Sequence, residues 1–283
     1  PFYITPTLAC QVNDALSLGA GLSIITSKIH LNREVGNSDP LYPQVPVLPG
    51  AFDLGTVDVK GNGSAVAFNL GARLKLSDDL AVGGVYRSGN DIDYKDGDAD
   101  FTYTFPGTGV ASVDQVLQGA FPQDQKVSVR LPFPATAGIG FAFNPDADWT
   151  VEVDGLWTGW SRLAVVGLEF ADPAISTRIR ENWHDALSLR IGAEWRKSDA
   201  LSLRGGWYYD ESPQPTQAVD PLLPDADRNG LTGGVGFNVG GLHLDAYGLV
   251  LIVSERSTRG TSLRGYDGTY ASSALIGGLN ATY

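Results

Sequence analysis

Residues 185–196 read Asp-Ala-Leu-Ser-Leu-Arg-Ile-Gly-Ala-Glu-Trp-Arg, and they divide cleanly between two solvents. In an extended chain, successive side chains point to opposite faces. Leu187, Leu189, Ile191, Ala193 and Trp195 therefore share one face, and Ser188, Arg190, Gly192, Glu194 and Arg196 the other. One such segment would suit any half-buried sheet. Its recurrence is the constraint. Trp149, Val151, Val153, Gly155 and Trp157 oppose Thr150, Glu152, Asp154 and Thr158. Leu201, Leu203, Trp207 and Tyr209 oppose Ser202, Arg204, Tyr208 and Asp210. Leu275, Leu279, Ala281 and Tyr283 oppose Ala274, Asn280 and Thr282. Aromatic residues gather near the ends of these segments. Repeated alternation with aromatic ends is the pattern of a transmembrane β-barrel.

The connections are sorted in the same sense. Short polar turns fall at Asn13-Asp14-Ala15, Ser77-Asp78-Asp79, Asn144 to Asp148, Lys197-Ser198-Asp199 and Gly240-Gly241. Long irregular stretches fall at 35–62, 106–124, 171–183, 211–227 and 256–267, and the two kinds alternate strictly. Outer-membrane barrels place short turns on the periplasmic side and long loops outside. The reading is an all-β, antiparallel barrel with strands near 2–12, 17–34, 63–76, 79–105, 125–143, 148–170, 184–196, 199–210, 228–239, 242–255 and 268–283. No linker or change of composition divides the chain, so residues 1–283 are read as one domain. No apolar run reaches the length of a membrane helix, the best being Leu249 to Val253. Charged residues make up 18% of the chain, below the roughly 25% of soluble domains, which suits a lipid-facing surface.

Eleven antiparallel strands cannot close on themselves, because the first and last point the same way. Bacterial single-chain barrels use even counts. The expectation is that an odd number of strands precedes Pro1 and that the chain, which has no Met, is a mature or truncated form.

Several local motifs resemble one family. They are Leu16 to Leu22, Tyr86-Arg87-Ser88, Leu131-Pro132, Trp157-Thr158-Gly159-Trp160-Ser161, Asp210 to Pro215, and Pro224 to Arg228. In this order and spacing the chain resembles the FadL family of outer-membrane transporters of long-chain fatty acids and other hydrophobic compounds, which includes the toluene-uptake proteins. The resemblance implies a 14-stranded barrel with an N-terminal hatch and a lateral opening in an early strand. It places this chain on the last eleven strands, without the hatch.

Inward parity assigns Arg73, Lys75, Arg130, Glu152, Asp154, Arg190, Glu194, Arg196 and Arg204 to the lumen. Such charges pair across strands, or an arginine grips a ligand carboxylate in bidentate fashion. Arg130, Arg190 and Arg204 are the candidates for the latter. Val110, Val113, Val116, Leu117, Ala120 and Phe121 recur at helical spacing. On a loop such a stripe binds something or covers something. Val113, Val116, Leu117 and Phe121 are the candidate ligand contacts of a landing groove, and a helix folded over the barrel mouth is the alternative. Leu41, Tyr42, Val45, Val47, Leu48 and Phe52 form a second apolar candidate.

Other chemistries find little support. Asp225, Asp227, Asn229 and Gly230 imitate a calcium loop, but Gly236 stands where the closing glutamate belongs. Asp91, Asp93, Asp96, Asp98 and Asp100 are a surface run, with weak cation bridging as the alternative. Cys10 stands alone, and His184 beside Asp185 is the only His–carboxylate neighbour pair that stands out. A net charge of −12 without a basic cluster argues against nucleic acid. The expectation is a non-enzymatic monomer in the outer membrane, surrounded by lipid or detergent, with no cofactor or metal and a hydrophobic small molecule as ligand. An outer-membrane hydrolase and a general porin are the alternatives.

Overall fold

The computed structural model describes residues 1–36, 52–219, 221, 224–263 and 265–283. The first wall strand comprises β1 (Phe2–Ile4) and β2 (Thr7–Gln11), parted at Thr5-Pro6. β3 (Leu16–Gly36) and β4 (Asp53–Lys75) are the long second and third strands. The fourth is β5 (Leu80–Arg87) continued by β6 (Asn90–Tyr103). After helix α1 (Ala111–Ala120), the fifth is β7 (Gln125–Phe133) continued by β8 (Thr136–Phe143). The sixth is β9 (Trp149–Thr158) continued by β10 (Val165–Phe170), and β11 (Thr177–Arg180) folds back on β10. Then come β12 (Ala186–Ser198), β13 (Leu201–Asp210), β14 (Arg228–Val239) and β15 (Leu242–Val253). A small hairpin of β16 (Arg256–Ser257) and β17 (Thr269–Tyr270) precedes β18 (Ser273–Thr282).

Every wall pairing is antiparallel, with the short turns at one end and the long connections at the other. The first strand pairs only with β3, and β18 only with β15, so the two edges do not close on each other among the described residues.

Several boundaries differ from the sequence reading. Of the expected loop 35–62, the described residues 35–36 and 53–62 are strand, because β3 runs to Gly36 and β4 begins at Asp53, paired from Leu16↔Leu74 to Gly36↔Asp53. Its glycines and aspartates look like a loop, yet Val57 and Val59 alternate onto a buried face. The expected loop 171–183 likewise contains β11.

The two faces sort by parity. Leu187, Leu189, Ile191, Leu203, Trp207, Leu275 and Leu279 are exposed apolar side chains on the outer face, where lipid is their solvent; Leu201 on the same face is half-buried. Near the short-turn end, the directly paired Trp149 and Trp195 stack with centroids 5.7 Å apart, an aromatic girdle position.

The well-packed core lies at the long-loop end. There the inner face of β3 and β4 extends as Val35, Leu54, Val57 and Val59, with Ala99, Val127 and Phe170 from neighbouring strands. Helix α1 lies against this surface by Leu117 and the adjoining Phe121. Lower down, Ile25, Ala67, Ile92 and Tyr94 form a second inward cluster, fastened where the Ser27 and Tyr94 hydroxyls meet at 2.7 Å.

Candidate functional site

The inner face changes character along its length. Near the short turns it is polar. Arg204 donates through Nε to Glu194 and through Nη1 to Asp245, each at 2.6 Å. His243 Nε2 stands 3.1 Å from the other Asp245 oxygen. The cross-strand register produces this network, since Glu194 pairs directly with Arg204 and Asp245 with Gly236, whose missing side chain leaves room for the guanidinium. Charged neighbours on one face stabilise the sheet in this way.

Arg190 opposes Asp154 on one side and Tyr208 on the other. With Glu152 and Glu194 these residues line an inward cavity of about 820 Å³ floored by Gly192, Gly206 and Gly234. Among the described residues, Arg73, Glu152, Asp154 and Arg190 have no ion-pair partner. Toward the long-loop end the inward positions of β15 and β18 become apolar: Leu249, Leu251 and Ile276.

Helix α1 closes one side of the mouth. Asp114 accepts hydrogen bonds from the Thr108 N–H at 2.6 Å and its hydroxyl at 2.8 Å, which fastens the segment before the helix to its first turn. Those bonds hold the Asp114 carboxyl below the ordinary carboxylate range. Leu117 and Phe121 are buried, Val113 is half-buried against the same cluster, and Val116 is 48% exposed. The apolar stripe is thus split between a covered and an open face.

The other candidates fall as follows. Arg130 pairs with Asp93 directly opposite, on the face away from Val129 and Leu131, which pack inward with Ile92 and Tyr94. Its expected lumenal position is corrected: a break in its strand at Pro134-Ala135 separates it from the parity of β8. Arg204 is engaged by two carboxylates, and Arg190 faces the cavity. Leu41 to Leu48 lie outside the described residues. Phe52 packs against the outer core, 5.1 Å from the Phe105 ring.

The aspartate run pairs with cations from adjacent elements: Asp91 with Arg162, Asp93 with Arg130, Asp98 with Lys126 and Asp100 with Lys60. Asp225 and Asp227 turn to protein donors, accepting from the Ser212 hydroxyl and the Ser212 N–H. His184 Nδ1 meets the Asp185 carbonyl, not its carboxylate.

Arg256 escaped the sequence reading. Its guanidinium donates to the carbonyls of Gln214 at 2.7 Å and Asp225 at 3.0 Å, and to the hydroxyls of Ser212 and Thr216. It ties the loop after β13 to the β16–β17 hairpin. The segments 210–215 and 224–228 are the acceptor half of this knot.

The family model of the outer membrane protein transport protein (OMPP1/FadL/TodX) matches residues 2–283. The chain belongs to this family. FadL-type proteins in it are outer-membrane barrels, and this chain is an outer-membrane protein. The long-chain fatty acid transport protein of Escherichia coli O6:H1 (strain CFT073) is 24% identical over 237 residues, 80% of this chain and 53% of that protein. Outer membrane protein P1 of Haemophilus influenzae is 21% identical, over 78% of this chain and 48% of that protein. The chain thus spans about half the length of these relatives. A Pseudomonas aeruginosa FadL homologue superposes with a TM-score of 0.80 at 23% identity, covering 99% of this chain and 66% of that one. The Ralstonia pickettii toluene transporter TbuX gives 0.61 at 19% identity, covering 90% of this chain and 63% of that one.

Proposed function

We propose that this chain forms the wall and mouth of a passive channel that admits hydrophobic small molecules, such as long-chain fatty acids or aromatic hydrocarbons, without covalent chemistry. The observation that carries the reading is the apolar face of α1 left open at Val116, set above a lumen whose upper inward positions are Leu249, Leu251 and Ile276. An apolar solute leaving water gains about 25 cal/mol per Å² of surface covered. Such a mouth therefore concentrates it without any reaction. Val113, Val116, Leu117 and Phe121 form the landing surface in this proposal: Val116 and Val113 by contact, Leu117 and Phe121 by holding the helix in place. Of the three candidate arginines, Arg190 is the one left to meet an anionic head group, whereas Arg204 braces the wall. The protein works as a monomer in lipid.

The reading is supported by the relatives named for fatty acid transport and by the toluene transporter of like fold. Equilibrium binding of radiolabelled oleate and of toluene to the purified full-length protein in detergent tests it. Saturable binding of either is the expected outcome. No binding of either, together with an open aqueous conductance in planar bilayers, would replace it with a porin.

A further inference from the structure

Three neighbouring wall strands break at one level. β5 gives way to β6 at Ser88-Gly89, β7 to β8 at Pro134-Ala135, and β9 to β10 across 159–164. The breaks abut, since Arg87 opposes Thr136, Thr136 opposes Thr158, and Asn90 opposes Phe133. Below the seam the strands belong to the membrane wall. Above it β6, β7, β10 and β11 form an extracellular lobe with the upper parts of β3 and β4, and this lobe carries α1. Among the described residues, only β3 and β4 cross the seam unbroken, so they attach the lobe along one side. The far side, where β11 is the sheet edge, has no continuous strand among the described residues.

Arg162 stands at that far side, in the turn between β9 and β10. Its Nη2 donates to Asp91 Oδ1 at 2.8 Å, across 71 residues of sequence. Its other terminal nitrogen lies over Gly89, in space a side chain there would take. A Cβ on Gly89 would also stand 2.8 Å from the Phe133 carbonyl oxygen and 3.0 Å from the Ala135 nitrogen, neither of which can move aside. One guanidinium thus touches the break in one strand and reaches the first residues of the lobe beyond it. Backbone bonds hold the remaining ends: Gly159 N–H donates to the Ala135 carbonyl and Ser88 N–H to the Phe68 carbonyl, both at 2.9 Å.

We propose that Arg162 is a positioning residue for ligand capture: its clasp on Asp91 across Gly89 sets the angle at which the lobe holds α1 over the mouth. The consequence for capture rests on the uptake reading above, whereas the clasp itself does not. A lobe held at one edge by two long strands pivots about them unless a turn on the other side is tied to it, and Arg162 makes that tie from the β9–β10 turn across β7 to Asp91 at the foot of β6. The charge-assisted bond from Nη2 to Asp91 sets the distance, and the planar guanidinium seated over Gly89 sets the direction.

The test places spin labels at Gln115→Cys on α1 and Ser272→Cys on the barrel rim, in a Cys10→Ser background of the full-length protein in lipid nanodiscs. Pulsed dipolar spectroscopy then reads the distance between them. Arg162→Ala and Asp91→Asn should each broaden and shift the distribution while the barrel keeps its folded, heat-modifiable migration on gels. Arg162→Lys, which keeps a charge beside Asp91 but loses the planar fork over Gly89, should move the distribution part of the way back toward the wild type. If Arg162→Ala fails to fold, Asp91→Asn decides alone, since it leaves the turn untouched. Wild-type distributions in the folded variants overturn the clasp, as does a lysine variant that behaves like alanine. Labelled oleate should bind the two loosened variants several-fold more weakly than wild type. Unchanged affinity alongside a shifted lobe overturns the role in capture. A wild type that binds neither oleate nor toluene removes the uptake reading, while the distances still judge the clasp.

Discussion

The ring of Phe121 occupies the space over Gly55: a Cβ on that glycine would stand 2.7 Å from Phe121 Cζ and closer still to the Thr102 carbonyl oxygen. The residue that ends α1 is thus seated over a glycine of β4. Phe101 and Tyr103 meet the same ring edge-on, at 6.2 and 5.3 Å. Gly55→Ala should therefore unseat the helix without touching it. Overpacking of this kind costs about 1–3 kcal/mol. Hydrogen exchange of residues 111–120 should accelerate while exchange in β12–β15 stays as in the wild type. Equal protection of the helix in the variant would show that Phe121 is not its anchor.

A second expectation concerns acid. Asp114 has its carboxyl held low by the Thr108 N–H and hydroxyl. A group whose folded pKa is depressed contributes stability that is fully present above its unfolded pKa, about 3.9 for aspartate, and is lost as pH falls through the lower folded value. The start of α1 should thus stay fastened from neutral pH to about pH 5 and loosen only in stronger acid. Cleavage by pepsin within 106–121 should rise as the pH drops below that range. Asp114→Ala should show the raised cleavage already at pH 5, and indifference to this substitution would detach Asp114 from the helix start.

Much of the architecture was legible because two periodicities are written directly into the chain. Leu187, Leu189 and Ile191 report the lipid face by alternation alone, and the turn at Gly240-Gly241 marks the short-turn end, both glycines adopting positive φ. The helical stripe around Leu117 was equally plain, and α1 lies within one residue of it at each end. Its division into buried Leu117 and open Val116 was not, because only the packed partner decides which side of a stripe is covered. Parity also failed at Arg130, since a strand break at Pro134-Ala135 resets the count and alternation cannot carry across it. The ties made by Arg162 and Arg256 span 71 and 31 to 44 residues. No local pattern announces a partner that far away, although the motifs at 86–88, 157–161, 210–215 and 224–228 prove to be their surroundings.

The lipid face yields a quantitative expectation. Leu189 is the fourth of the 13 residues of β12, paired with Gly155 and Tyr209 and exposed outward. An arginine on the lipid face near the bilayer midplane costs about 2–4 kcal/mol, falling toward zero at the interfaces. Leu189→Arg should lower the stability of the barrel by that order in a bilayer-based unfolding titration. Ser188→Arg is not a control, because Ser188 is buried against Asp210. Gln118→Arg, exposed on α1 outside the wall strands, is the control and should cost little. Equal effects at both positions would mean that Leu189 does not face hydrocarbon.

The two faces of α1 offer a last separation, between holding the helix and meeting the ligand. Val116 is half exposed, whereas Leu117 beside it is 1% exposed and packed in the cluster with Val57, Val127 and Phe170. Cutting Leu117 back to alanine removes buried methyl groups and leaves a cavity, a change that costs about 2–5 kcal/mol. Its effect on ligand would be inseparable from loosening of the lobe. Val116→Ser removes only open apolar surface, so the fold should keep its stability within about 0.5 kcal/mol. If the open face is the landing surface, that variant loses the part of the gain that comes from covering a valine, at most about 1.5 kcal/mol or roughly tenfold in affinity. The decisive comparison is binding of labelled oleate to wild type, Val116→Ser and Leu117→Ala, alongside hydrogen exchange of the helix. Weaker binding with unchanged protection in Val116→Ser places ligand on the open face. Wild-type affinity in that variant, with loss only in Leu117→Ala, would make α1 a cover for the outer core and remove it from ligand capture.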